Sequence, residues 1–200
     1  MDPSTDAFYA RYAADLAGEA AHSAMAHHFD GALPAGSRVL DVGCGSGRDL
    51  ARLHALGFDA FGAEPNAALR AAAARRHPQL AHRLADAALP DLGRPFGGGF
   101  DAAVCSAVLM HVGADALPAA LGALGAVLAP HARLLLSVPA LAEQQLREGR
   151  DVDGRLFTNH APAQLQAMLR ALAFEPRGQW QATVGAGPSL TLWTTLLFER

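Results

Sequence analysis

Short apolar segments alternate with longer segments of helical periodicity along residues 39–138, and this alternation constrains the fold more than any other feature. The apolar segments are bordered by glycine or proline, and their length and composition predict strands. The five predicted strands are Val39–Val42, Phe58–Ala63, Leu80–Ala85, Phe100–Ser106 and Arg133–Val138. A strand–helix alternation of this kind predicts a parallel sheet with helices on both faces, and therefore an α/β fold.

Helical periodicity and capping residues predict the remaining elements. The predicted helices are one or two within residues 5–30, Arg48–Leu56, a helix ending at Arg76 with Asn66 as its N-cap, Ala114–Leu128 and Pro162–Ala173. Two further strands are predicted at about Gly178–Val184 and Ser189–Phe198, because β-forming residues are frequent there. We see no internal repeat and no low-complexity linker, so we expect one domain.

Several classes of function are excluded by what the 200-residue chain lacks. It has no lysine, so neither a Schiff-base lysine nor a phosphate-loop lysine is present; we attribute this absence to coding bias. The net charge of −3 argues against a nucleic-acid-binding surface. The two cysteines are too few for a disulfide framework, and no Cys/His spacing indicates a metal site. Without a leader or a bilayer-length apolar run, the chain is expected to be cytoplasmic, with no membrane partner.

The segment Val39–Asp49 carries the most chemical information, because a predicted strand there runs into a glycine-rich turn that opens a helix. The spacing is Asp-x-Gly-x-Gly-x-Gly, formed by Asp41, Gly43, Gly45 and Gly47. Glycines permit positive φ angles in such a turn and let a ligand approach the backbone N–H groups. A dinucleotide fingerprint would need its third glycine at position 48, which is Arg48, and a phosphate loop would need a lysine.

This turn resembles the first motif of the class I S-adenosylmethionine-dependent methyltransferases, and three later segments match that family in the expected order. Glu64 ends the second predicted strand, Asp86 follows the third, and the fourth continues towards His111. The resemblance covers about residues 37–138. It implies a Rossmann-like, doubly wound, mostly parallel seven-stranded sheet with helices on both faces and a C-terminal antiparallel hairpin.

The resemblance implies S-adenosylmethionine as cofactor and S-adenosylhomocysteine as product. The residues expected to bind the cofactor are Asp41, Gly43, Gly45, Gly47, Glu64, Pro65, Asp86, Ala87, Cys105 and Ser106. Glu64 would accept hydrogen bonds from both ribose hydroxyls, and Asp86 would accept one from the adenine amino group. His111 is the expected catalytic base, with Tyr9, Tyr12 and His160 on the substrate side.

The implied activity is methyl transfer to a small-molecule acceptor by in-line displacement at the sulfonium methyl. DNA amino-methyltransferases have a Pro-Pro-aromatic motif after the fourth strand, where this chain has Cys105-Ser106-Ala107, and the Pro-Cys nucleophile of cytosine-C5 enzymes is absent. Three alternatives stay open: a methyltransferase-like protein that binds the cofactor without transferring methyl, an aminopropyltransferase and a nicotinamide-dependent oxidoreductase.

We expect a single methyltransferase domain over residues 1–200 with four parts. These are a helical lid (1–36), a cofactor-binding core (37–138), a polar substrate-side excursion (139–160) and a C-terminal helix with a strand pair (161–200).

Overall fold

The computed structural model describes residues 1–20, 22–184 and 191–200 of the chain. Its strands are β1 (Arg38–Val42), β2 (Asp59–Ala63), β3 (Leu84–Ala85), β4 (Phe100–Ser106), β5 (Leu128–Ala140), β6 (Glu175–Val184) and β7 (Thr191–Glu199). Within the described residues, these seven strands form one sheet in the order β3-β2-β1-β4-β5-β7-β6. Strands β1 to β5 are parallel, whereas β7 is antiparallel to both β5 and β6. The predicted mostly parallel seven-stranded sheet with a C-terminal antiparallel hairpin is confirmed.

Helices cover both faces of this sheet. Those in the described residues are α1 (Pro3–Tyr12), α2 (Phe29–Ala32), α3 (Arg48–Ala55), α4 (Ala67–Arg76), α5 (Leu117–Val127) and α6 (Pro162–Ala171). Asn66 is the N-cap of α4, as predicted, and its side-chain oxygen accepts a hydrogen bond from the Leu69 amide at 3.0 Å. Among these helices, none combines the length and the apolar character that crossing a bilayer requires.

Alternate residues of the central strands enter two separate cores. On β4, Ala103 and Cys105 belong to the core formed with α5 and α6, whereas Ala102 and Val104 belong to the core formed with α3 and the segment around α2. All four side chains are fully buried. Because both faces of the strand are covered, its sequence is apolar throughout, which is why an uninterrupted apolar run marks it.

The third predicted strand is mostly wrong. Only Leu84–Ala85 is strand, because Pro78 opens a 3₁₀ helix over Pro78–Arg83, and β3 therefore pairs only with the last two residues of β2. Strand β5 begins at Leu128, earlier than predicted, since its pairing with β4 continues past a register shift. Ser189 and Leu190, the start of the last predicted strand, lie outside the described residues.

Helix α1 is held against two distant parts of the chain. The Asn66 side-chain amide donates to the Asp6 carbonyl (3.0 Å) and to the Asp6 carboxylate (2.8 Å). On the other side, the Leu156 amide donates to the Thr5 hydroxyl at 2.8 Å. These contacts place α1 between the start of α4 and the segment before α6, at the carboxyl edge of the parallel strands.

We predict that Asn66→Ala lowers the free energy of unfolding by about 1–2 kcal/mol, because α4 loses its side-chain cap. Asn66→Ser keeps a capping oxygen and should recover most of the loss, as measured by urea-induced unfolding. Both variants lack the amide that binds Asp6. An equal loss in both would therefore assign the stabilisation to the contact with α1 and contradict the capping role.

Candidate active site

A cavity of about 310 Å³ opens at the carboxyl ends of β1, β2 and β4. The strand order reverses between β1 and β4, and open α/β sheets bind ligands at such a point. The volume is within the range of small-molecule sites. The sequence-predicted residues that line it are Tyr9, Tyr12, Asp41, Gly43, Gly45, Glu64, Pro65, Ala87, Ser106 and His111.

The glycine-rich turn supplies one wall of this cavity. Gly43 has a φ of +72°, and a Cβ placed on it would collide with the Val108 side chain, so this position requires glycine. The turn is fixed to the neighbouring strand because the Gly43 amide donates to the Ala63 carbonyl at 2.7 Å. The backbone therefore borders the cavity directly, without an intervening side chain.

Glu64 is the buried carboxylate at the end of β2. One of its oxygens accepts a hydrogen bond from the Gly45 amide (3.0 Å), and the other accepts one from the Asn66 amide (2.8 Å). Burial raises the pKa of Glu64, while these two amides and Arg70 act in the opposite direction. Each carboxylate oxygen retains a further lone pair. The side chain is thus fixed in orientation and still able to accept two hydrogen bonds from a ligand.

Asp41 lines the cavity beside two further carboxylates, Asp49 and Glu64. It is only 1% exposed, and its Oδ2 atom has no hydrogen-bond partner among the described residues. Burial, with the nearby charges of Asp49 and Glu64, raises the pKa of Asp41 well above its usual range. A cation bound here would favour the ionised form and satisfy the orphaned oxygen, so this side of the cavity suits a positively charged ligand.

Sequence reasoning missed Glu19, which lines the same cavity from the segment after α1. Its carboxylate accepts a hydrogen bond from the Ser46 hydroxyl at 2.6 Å and forms an ion pair with Arg76. The cavity is also lined by Arg48 and Arg155. No spacing in the sequence connects these residues to the glycine turn, so only the folded arrangement of the chain identifies them.

Tyr9 and His111 form a hydrogen-bonded pair at one end of the cavity. The His111 Nδ1–H donates to the Leu156 carbonyl at 2.7 Å, because a carbonyl oxygen can only accept. Burial lowers the pKa of His111, so the ring is neutral near pH 7 and its Nε2 atom carries a free lone pair. That atom lies 2.9 Å from the Tyr9 hydroxyl, which donates to it. The pair is a proton acceptor with a fixed tautomer.

A second, larger cavity of about 930 Å³ lies beside the first. Three residues, Tyr9, Ala107 and Arg155, line both cavities and form the junction between them. The remaining residues that line the second cavity are Met110, Pro139, Leu141, Gln144, Gln145, Arg147, Arg150, Asp151, Val152, Phe157, Thr191 and Trp193. Most belong to the end of β5 and the polar segment that follows it.

Ala107 gives the junction an unusual backbone. It follows β4 with a φ of +58°, a left-handed backbone conformation that residues other than glycine rarely adopt. Its amide donates to the Ser137 hydroxyl of β5 at 3.2 Å. The neighbouring strand therefore helps to hold the backbone in this conformation.

Asp86 and Gly47 do not line the cavity, so the structure does not bring them together with the other residues predicted to bind the cofactor. The side chain of Asp86 is 69% exposed and pairs with Arg70 at 2.8 Å, because the backbone after the short β3 turns Ala87 inward instead. Gly47 caps α3 with a φ of +83° and approaches Ala73 of α4. The absence of a side chain at Gly47 lets the start of α3 pack closely against α4.

Cys105 and His160 line neither cavity, and both are buried. Cys105 belongs to the core under α5 and α6, and only its successor Ser106 reaches the cavity. The His160 Nε2–H donates to the carbonyls of Leu109 (3.0 Å) and Val112 (2.9 Å). This histidine ties the end of the polar segment to the turn that carries His111.

Several solved structures share this fold. The 1,6-didemethyltoxoflavin-N1-methyltransferase of Burkholderia thailandensis, solved with 1,6-didemethyltoxoflavin and S-adenosylhomocysteine, is 22% identical (92% of this chain, 79% of that chain, TM-score 0.66). A SAM-dependent methyltransferase of Methanosarcina mazei is 20% identical (90% and 98%, TM-score 0.70). The [4+2]-cyclase SpnF is also 20% identical (88% and 78%, TM-score 0.65).

A search of curated proteins finds no match to the chain. A family model described as a methyltransferase domain, however, matches residues 9–177. That match covers most of the sequence, including the glycine turn, Glu64, His111 and the segment that lines the second cavity. The chain belongs to the methyltransferase domain family.

Proposed function

We propose that this protein transfers a methyl group from S-adenosylmethionine to a small-molecule acceptor. The observation that carries the proposal is the pair of cavities that meet at Tyr9, Ala107 and Arg155. The first is lined by buried carboxylates, and the second is larger and combines apolar side chains with three arginines. Such a pair provides separate places for the cofactor and the acceptor, with one point of contact between them.

The residues of the first cavity fit the cofactor. S-adenosylmethionine carries a sulfonium and an ammonium group, and the orphaned Asp41 oxygen lies in a wall with two further carboxylates. The cofactor also carries a ribose diol, and Glu64 has two free lone pairs in a fixed orientation. Its adenine ring would lie beyond Glu64, near Pro65 and Ala87. When bound, the cofactor supplies an electrophilic methyl carbon on sulfur.

His111 is the residue we assign to proton transfer. Its Nδ1–H is fixed to the Leu156 carbonyl, so Nε2 faces the Tyr9 hydroxyl as a neutral acceptor. A hydroxyl or amine of an acceptor at the junction could replace the Tyr9 contact or donate through it. The half-buried position of the pair at the cavity wall leaves His111 within reach of an acceptor and suits it to general-base catalysis.

Different parts of the chain line the two cavities. Residues 1–36 contribute Tyr9 and Tyr12 of α1 and cover the cofactor cavity, and residues 37–138 form most of its remaining wall. Residues 139–160 line most of the acceptor cavity, and residues 161–200 complete the sheet and contribute Trp193. We propose that these parts function as one domain.

A second candidate is a protein that binds the cofactor but does not transfer its methyl group. Structural similarity to the [4+2]-cyclase SpnF supports this second candidate, because SpnF is named for a reaction other than methyl transfer and has the same fold. The two candidates differ in one measurement, the transfer of labelled methyl from S-adenosylmethionine to a small-molecule extract.

We predict that Glu64→Ala abolishes detectable S-adenosylhomocysteine binding in isothermal titration calorimetry. Two charge-assisted hydrogen bonds are lost, which corresponds to roughly a hundredfold or more in affinity. Glu64→Gln keeps one acceptor oxygen and should give an intermediate affinity. Glu175→Ala is the matched control, because this carboxylate is exposed at the start of β6 and lines neither cavity, so binding should stay unchanged. Wild-type affinity in Glu64→Ala would contradict the cofactor assignment.

For His111→Asn we predict a decrease in kcat of about 10²–10⁴ in the labelled-methyl assay, because the proton acceptor is lost. The wild-type rate should fall only as the pH drops through a pKa below 6.5, since burial lowers the pKa of His111 and its neutral form is the base. This acidic limb should disappear in His111→Asn. His54→Gln, at an exposed position of α3, is the control. An unchanged pH profile in His111→Asn would contradict the role.

A further inference from the structure

We propose that the second cavity binds an amphipathic organic anion, with its anionic group at Arg147 and its apolar body against Met110, Phe157 and Trp193. The identification of this anion as the methyl acceptor rests on the proposed function. Preference for an anion is a separate property of the cavity, because it depends only on the charges and side chains of its walls.

Three arginines line the second cavity, but two of them are neutralised. The two terminal guanidinium nitrogens of Arg150 each donate to one oxygen of the Asp2 carboxylate at 3.0 Å, in a bidentate pair. The guanidinium of Arg155 contacts the Asp151 carboxylate at 2.7 and 2.6 Å. The one carboxylate that lines the cavity is thus already engaged.

Arg147 differs from these two arginines. Its side chain has no hydrogen bond or ion pair with any residue that the structure describes. The cavity therefore holds one uncompensated positive charge. Because a guanidinium binds carboxylate and related oxyanions through two parallel hydrogen bonds, Arg147 selects a ligand with one such group.

The walls of the cavity determine the rest of the ligand. Met110 and Phe157 are only 6% and 5% exposed and close the bottom of the cavity, whereas Trp193 of β7 is half-buried and presents most of the aromatic surface to an occupant. Pro139 and Leu141 extend this surface along the end of β5. An apolar, ring-sized body would be stabilised by burial against these side chains.

The position of Arg147 also gives the occupant a direction. Arg147 lines only the second cavity, whereas Tyr9 and Ala107 line both. An anion held at Arg147 therefore presents its opposite end to the junction. For a hydroxyl at that end, an oxygen–carbon bond forms to the methyl, the sulfur–carbon bond breaks with its electron pair left on sulfur, and the proton passes to His111 Nε2.

Two fluorescent probes with the same ring system test this proposal in the full chain. 1-Anilinonaphthalene-8-sulfonate is an apolar anion, and N-phenyl-1-naphthylamine lacks the sulfonate. We expect the wild-type protein to bind the anion more tightly. In Arg147→Gln the affinity for the anion should fall about tenfold, as expected for one charged hydrogen-bonding group, while the affinity for the neutral probe stays unchanged. Arg147→Lys should retain part of the preference.

Arg52→Gln is the matched control. Arg52 is exposed on α3, lines neither cavity and has no side-chain partner among the described residues, so the variant removes one equivalent charge elsewhere. Equal losses in Arg147→Gln and Arg52→Gln would overturn the proposal. So would equal affinity of the wild-type protein for the two probes, or no binding of the anion at all.

Calorimetry with S-adenosylhomocysteine on the same preparations separates the two proposals. If the cofactor product fails to bind while the preference for the anionic probe still depends on Arg147, the proposed methyl transfer fails and the anion site stands. If the cofactor product binds and the preference is absent, only the anion site fails.

Discussion

The Glu64 carboxylate links two backbone turns, and the geometry of the candidate site depends on that link. One oxygen fixes the turn after β1 through the Gly45 amide, and the other fixes the start of α4 through the Asn66 amide. The two strands before these turns are neighbours in the sheet, so a single side chain aligns two loops that the sequence separates. The backbone amides offset part of the cost of burying the charge and leave lone pairs directed to the cavity.

Helix α1 depends on the same arrangement. Asn66, whose backbone amide binds Glu64, also holds Asp6, and the opposite side of α1 is fixed by Thr5 and Asp2 to residues 150–156. Tyr9 is thereby brought to His111, a residue far away in the chain. The Tyr9–His111 pair is thus a product of tertiary contacts that begin at the sheet edge, and its Tyr9 member lines both cavities.

Local signals were sufficient to predict most of the strands and that the first five lie parallel, because buried strands are continuous apolar runs and glycine marks the turn after β1. The cap at Asn66 was predictable for the same reason, since it acts within a few residues. The orientation of side chains after strand ends was not predictable. Asp86 was assigned by its position in the chain, yet the two-residue β3 turns it to solvent. His160 was assigned by residue type, but it binds two backbone carbonyls. Glu19 and Arg155 belong to no sequence motif, so their positions in the cavity wall could not be predicted.

Ala107 has a consequence for how firmly the two cavities are separated. An alanine in the left-handed region costs about 1–2 kcal/mol relative to its favoured conformations, a cost that glycine would largely avoid. The alanine nevertheless narrows the range of shapes open to this stretch of backbone, and the Ser137 hydroxyl selects one of them. The backbone at Ala107, where the two cavities meet, is therefore less flexible than it would be with glycine at this position. The backbone strain at Ala107 therefore costs some folding free energy at a point where the two cavities meet, and it holds that wall in one conformation.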